Sequence, residues 1–221
     1  MASKLNMSVA KTISQYDRVT HFIATSLLRT NKFMAAASRT SCFVTFEWLD
    51  QCYKSGQIIS CDEYHMVDDP LFTEKYGITH SSMLVNGKLA RESGGVLANM
   101  VVYVGAGVAG KKNDAPELAD IKQLVKLAGG NVAATQAQAL VFGPSKLLII
   151  TKGGVMPTKL AAAKGAKQIT MGSLLKVFSH QSLDPIKNAS EANEDDYAAK
   201  AAKDTEIAEL VNVEEGENFS S

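Results

Sequence analysis

The sequence predicts an α/β fold made of two related units, on three observations. Short β-branched and aromatic runs alternate with amphipathic helical stretches along most of the chain. The run THFIAT at residues 20–25 returns as KLLIIT at 146–151, an offset of 126 residues, and its neighbours keep nearly the same spacing. Lys32-Phe33 falls on Lys159-Leu160 at 127, and the stretch from Thr45 to Leu49 falls on Thr170 to Leu174 at 125.

Taken in order, Met7 to Ile13 is a candidate strand, and Thr20 to Ala24 has the composition of a buried one. Thr30 suits the N-cap of a short helix through KFMAAAS, because its hydroxyl can accept a first-turn amide. Phe43 to Phe46 reads as the next strand. EWLDQCYKSG follows as a helix whose Trp48, Leu49, Cys52 and Tyr53 share one face, with Gly56 as its stop. Residues 58–69 read as extended, Pro70 as a boundary, and 70–95 as a linker with a helix somewhere between Ile78 and Ala90.

The second unit opens on an apolar strand at Met100 to Val104. A helix from Pro116 to Ala128 comes next, with proline in its first turn and Gly129-Gly130 just beyond its end. Strands at NVAAT, KLLIIT and AKQIT, a helix from Thr158 to Lys164 and a closing amphipathic helix in MGSLLKVFSHQSL complete it. These signals divide the chain into a first unit at 1–69, a linker at 70–95, a second unit at 96–187 and a tail at 188–221.

The same spacing leaves the first unit short. In the second unit 46 residues separate Met100 from Lys146; counted back from Thr20, that distance passes the start of the chain. The expectation is a first unit lacking its opening strand and helix, truncated at the N-terminus.

Charge is distributed unevenly although the formal net charge is zero. Residues 1–187 carry 21 basic and 13 acidic side chains, while 188–221 carry 2 and 10. The basic body favours phosphate-bearing partners without choosing among them. The acidic tail, poor in large apolar residues, reads as disordered with a short helix near 198–211. Three cysteines without a CxxC pair predict a reducing, intracellular compartment, and no apolar run is long enough to span a membrane.

The run TH-x-I, then RT-x-KF, a strand leading into the WL-x-x-C helix, Gly56 and DEYHMVDDP resembles the BRCT domain, and the two units with their linker resemble a tandem BRCT pair of the DNA damage checkpoint group. The likeness covers roughly residues 5–187. Its most specific part is RTNKF with the Trp48 helix; in the second unit Ser173 stands where the family usually has tryptophan. The resemblance implies two repeats packed head to tail, each a parallel four-stranded sheet flanked by helices, the first incomplete here. It further implies a non-enzymatic, nuclear adaptor that reads a phosphorylated protein or peptide, a histone tail ending in a free carboxylate among the candidates.

Carried over by motif, Lys32 and Thr30 would hold the phosphate, Arg29 the peptide main chain or its carboxylate, and Met34 would line a groove between repeats; Trp48 would be core. Chemistry agrees with these roles. Lysine supplies a point charge, and the arginine fork matches a carboxylate with two parallel bonds. The plainer reading is that Arg29 and Lys32 are solvated charges flanking a helix start. The family also supplies a Ser/Thr-Gly pair at the end of its first strand, which MASKLNMSVAKTI does not contain. A scaffold that binds partners without phosphate is therefore the alternative.

Other chemistries fit less well. VVYVGAGVAGKK satisfies G-x-G-x-x-G at Gly105, Gly107 and Gly110, but NDA separates it from the next helix and Lys112 stands where a phosphate-binding loop needs Ser or Thr. The histidines are scattered, and nine and eight residues intervene between successive cysteines, unlike structural zinc spacing. The sequence thus predicts no catalytic residue, no metal and no cofactor, and no sequence-specific nucleic-acid partner.

Overall fold

In the computed structural model the described residues are 5, 7–110, 115–152, 155–161 and 163–187. They form two parallel sheets joined by helices. The first sheet pairs β1 (His21–Ile23) with β2 (Cys42–Val44) in the register His21 with Cys42, Phe22 with Phe43 and Ile23 with Val44. Because side chains alternate across a strand, Phe22 and Phe43 point to one face and His21, Cys42, Ile23 and Val44 to the other.

On the first face lies α1 (Asn31–Ala37), whose Phe33 meets Phe22, Phe43 and Phe72 in a set of tilted and edge-on rings with centroids 5.1 to 6.0 Å apart. On the other lies α2 (Phe46–Ser55), which buries Trp48 and Cys52 against Val44 and Cys61 and ends at left-handed Gly56. The chain then returns beside β2. Met66 donates its amide to the Phe43 carbonyl, and His65 forms an antiparallel bridge with Val44.

Two helices connect the sheets. The first, α3 (Pro70–Tyr76), starts where the sequence reading placed only a boundary: Pro70 is its first residue and the Asp69 carboxylate accepts from Leu71 N at 2.8 Å. The second, α4 (His80–Glu92), occupies the helix expected in this linker and is capped by the Thr79 hydroxyl.

The second sheet has the order β4-β3-β5-β6, all parallel, from β3 (Val101–Val104), β4 (Asn131–Ala133), β5 (Leu147–Ile150) and β6 (Lys167–Ile169). Its helices are α5 (Leu118–Leu127), α6 (Gln136–Val141), α7 (Met171–His180) and α8 (Asp184–Lys187). In β5, Leu148 and Ile150 join the large core that continues into the first sheet, and Leu147 and Ile149 join a smaller cluster with Ala139 of α6 and Leu160. The β1–β2 pair reproduces the β5–β6 pair at the spacing read from the sequence, and α2 reproduces α7. The elements β3, α5 and β4 have no counterpart among the described residues of the first unit.

Several expectations change. Residues 7–11 form no strand, and Ile13 instead opens a 3-10 helix, Ile13–Arg18, whose start is fixed when Lys11 N and Thr12 N donate to Gln15 Oε1. Residues 158–161 make a turn rather than a helix, with residue 162 outside the described set. The α6 helix was not anticipated, because Ala139 is its one buried residue and the segment has no apolar stripe. Among the described residues no helix is long and apolar enough to cross a membrane. The tail, including its expected helix, lies outside the described residues.

Candidate functional site

The N-terminus of α1 carries the motif singled out in the sequence. Thr30 Oγ1 accepts from Phe33 N at 3.1 Å, which aims Phe33 into the core and leaves Lys32 exposed on the first turn. Beside it, Asn31 Nδ2 donates to Asp120 Oδ2 of α5 at 3.1 Å, so this helix end is tied directly to the second unit.

Arg29 is half-buried, its guanidinium carbon 4.6 Å from the centroid of the Tyr76 ring. Tyr76 closes α3, and its carbonyl oxygen accepts from His180 Nε2 at 2.8 Å across the seam. His180, at the end of α7, has its imidazole pKa lowered chiefly by burial; the hydrogen bond to Tyr76 opposes that shift, the nearby charges of Arg29 and Lys176 add to it, and the Asp184 carboxylate works against it. Arg29, Lys176 and His180 therefore share one electrostatic environment where the two units meet.

The seam is held by further polar contacts. Arg91 of α4 donates to the carbonyls of Ala37 and Thr40 at 3.0 and 3.2 Å, satisfying the C-terminal end of α1. Gln181 donates to Ser38 Oγ at 3.1 Å, and Asn86 donates to the His180 carbonyl at 2.9 Å.

The other residues named from the sequence sit elsewhere. Met34 is 2% exposed and packs in the shared core, without an open face toward a groove. Trp48 is 1% exposed; its Nε1 donates to the Ile59 carbonyl at 3.1 Å and its ring stacks on His21 with centroids 4.3 Å apart. The glycine-rich run after β3 does not open a helix: Gly110 N donates to the Pro116 carbonyl, and α5 begins at Leu118.

Two groupings escaped the sequence reading. Tyr76 and His180 are 104 residues apart, and neither lies in a motif. His21, Cys42 and Cys61 come from two strands and a loop, with one possible ligand atom from each lying within 4.8 Å of the others. Cys42 and Cys61 are joined as a disulfide with Cα atoms 6.2 Å apart, where the sequence reading expected reduced thiols; Cys52 is free and buried.

With this geometry in place, comparison with known proteins gives the class and then some of its relatives. The fold is that of a tandem BRCT pair. The crystal structure of the S. pombe Brc1 BRCT5-BRCT6 domains superposes with a TM-score of 0.63 at 23% identity, covering 83% of this chain and 86% of that one. A complex structure of Rtt107p and phosphorylated histone H2A matches with a TM-score of 0.50 at 16% identity, covering 82% and 79%.

Residues 2–66 match the family model of the Regulator of Ty1 transposition protein 107 BRCT domain. BRCT-containing protein 1 of Schizosaccharomyces pombe is 34% identical over 129 residues, 58% of this chain and 14% of that protein. PAX-interacting protein 1 of Bos taurus is 29% identical over 126 residues, 54% of this chain and 11% of that protein. The chain thus spans a small part of the length of these relatives.

Proposed function

We propose that this chain is a phosphopeptide-reading tandem BRCT module, a non-enzymatic adaptor of the DNA damage response acting in the nucleus. In this reading residues 1–69 are the first repeat, 70–95 the linker, 96–187 the second repeat and 188–221 an acidic tail. Lys32 and the Thr30 hydroxyl meet the phosphate, and Arg29 holds the peptide main chain or a terminal carboxylate. The observation that carries the proposal is the position of Arg29, set over Tyr76 at the seam beside His180 of the second repeat. The Rtt107p structure with phosphorylated histone H2A supports a histone tail as the class of partner.

Magnitudes say what the site must supply. A hydrogen bond to a charged group contributes roughly 1.5–3 kcal/mol, and micromolar binding needs about 8 kcal/mol. Lys32 and Arg29 alone fall short of that total, so further contacts along the seam have to provide the remainder.

The experiment is an anisotropy titration with three peptides: phosphorylated with a free C-terminus, the same peptide amidated, and the unphosphorylated form. Affinity should fall in that order, and Lys32→Ala should abolish the difference that phosphate makes. Equal affinity for all three would replace this reading with a scaffold that binds without phosphate. The two-stranded first sheet, with no Ser/Thr-Gly pair at residues 7–20, is the observation that favours that second reading.

A further inference from the structure

On the face of the first sheet away from α1, the soft-metal side chains of His21, Cys42 and Cys61 converge, and His65 lies beside Cys61. His21 and Cys42 are register partners on neighbouring parallel strands, so their side chains rise side by side. Cys61 arrives from the loop that precedes the 3-10 turn Asp62–Tyr64, and its sulfur lies 3.8 Å from His65 Nε2. One possible ligand atom from each of His21, Cys42 and Cys61 falls within 4.8 Å of the others, and Cys61, Asp62 and His65 form an overlapping group.

We propose that His21, Cys42 and Cys61, with His65 as the fourth donor, bind a Zn²⁺-class cation when Cys42 and Cys61 are reduced.

Each residue carries a feature that suits a ligand. His21 Nδ1 is hydrogen-bonded to Thr20 Oγ1 at 2.9 Å, and stacking on Trp48 fixes the plane of the ring. His65 has a buried Nδ1 with no hydrogen-bond partner, and its other nitrogen faces the Cys61 sulfur. In a tetrahedral site with metal–sulfur bonds of ~2.3 Å and metal–nitrogen bonds of ~2.0 Å, donor atoms sit roughly 3.4–3.8 Å apart. The Cys61–His65 separation already falls at that spacing. His21 and Cys42 are half-buried, which leaves the ion a path from solvent.

Two thiolates and two imidazoles select zinc or another soft, borderline cation over magnesium or calcium. The structure shows the sulfurs joined, so the site opens in two balanced steps. A dithiol reductant takes the disulfide to two thiols and is itself oxidised to a disulfide; the cation then displaces one proton from each thiol. In a compartment kept reducing by thiols the open form prevails. Metal binding would then fasten the Cys61 loop to the sheet in place of the disulfide.

The full chain, reduced with a phosphine and shown to expose three titratable thiols on denaturation, is titrated anaerobically with Co²⁺ and then Zn²⁺. The expected result is one Co²⁺ per chain, with a thiolate-to-cobalt charge-transfer band and visible bands of tetrahedral intensity, all lost on adding one equivalent of Zn²⁺. Cys42→Ser and His21→Gln should each weaken binding at least tenfold, whereas Cys52→Ser should leave the spectrum unchanged. An independent measurement on the unsubstituted chain is alkylation read by mass spectrometry, where Zn²⁺ should slow modification of Cys42 and Cys61. Cobalt bound without a charge-transfer band, a band that survives Cys42→Ser, or alkylation rates indifferent to Zn²⁺ would each overturn the proposal.

Discussion

The guanidinium of Arg29 lies 4.6 Å from the centroid of the Tyr76 ring, so a cation between the two strands of the first sheet is held by the last residue of α3, one of the helices leading to the second. Tyr76 in turn accepts from His180 through its carbonyl, and the three residues link both repeats in one contact chain. Stacking over the ring fixes the plane of the guanidinium before a ligand arrives, which reduces the conformational entropy lost on binding. Arg29→Lys keeps the charge and removes the fork. Affinity for a phosphopeptide with a free C-terminus should fall about 5- to 50-fold, in line with roughly 1–2.3 kcal/mol for part of a charge-assisted pair, while the amidated peptide changes little. Paired titrations of both peptides against both proteins check this.

Acid should destabilise the fold over the range in which histidine titrates. Burial is the first cause of lowered pKa values at His21, His80 and His180, and a hydrogen bond to a backbone carbonyl only partly opposes it at His80 and His180. The unfolded chain binds these protons near pH 6.5 while the folded chain does not, so stability is fully present above that value and is lost as pH falls through the lower folded pKa values. Thermal denaturation from pH 7.5 to 5 should show a steadily falling Tm. His80, 1% exposed with Nε2 unpartnered, should contribute most, and His80→Gln should flatten the profile.

Much of the second sheet and the latter part of the first repeat could be read from the chain because strands such as β3 and β5 are unbroken apolar runs. THFIA and KLLIIT carry both core faces in consecutive residues, and the 125- to 127-residue offsets follow from β1–β2 repeating as β5–β6. Where burial is slight the signal vanishes. The α6 helix buries only Ala139, and α3 is a short helix whose opening proline is also a boundary marker. Residues 7–11 have strand-like composition but no partner strand, and Gln15 holds their end in a turn instead. The candidate site was legible only in its local half. Arg29, Thr30 and Lys32 lie in one motif, whereas Tyr76, His180 and the His21–Cys42–Cys61 group are brought together by tertiary packing alone.

Gly129 should tolerate no side chain. Its φ is +83°, a left-handed conformation that costs an L-residue strain, and a Cβ there would collide with the Gly94 carbonyl oxygen. Gly95 presents the same close approach from the other side, against the backbone of Ala128. The two glycine pairs therefore let the end of α5 pack directly on the turn after α4. Gly129→Ala combines both penalties, and a loss of about 2–3 kcal/mol is expected. Thermal melting should show it as a fall of roughly 5–10 °C. Gly107→Ala is a matched control, because Gly107 also has positive φ but nothing within 4 Å of a built Cβ, and it should lose much less.

Arg91 separates the stability of the seam from ligand recognition. Its guanidinium closes the C-terminal end of α1 by donating to the carbonyls of Ala37 and Thr40, at the opposite end of the helix from Lys32. Burial and the neighbouring Arg39 charge lower its pKa, yet arginine remains charged at any pH at which the protein is studied. Arg91→Leu keeps the apolar stem and removes both bonds, leaving partly buried carbonyls without donors at a cost of about 2–3 kcal/mol. The urea midpoint should shift accordingly with m unchanged. Phosphopeptide affinity measured well below that midpoint should stay within about twofold, since Thr30 still caps the other end and still presents Lys32. A large loss of affinity would mean that the seam transmits strain along α1, and that the phosphate-facing turn is set by both of its ends.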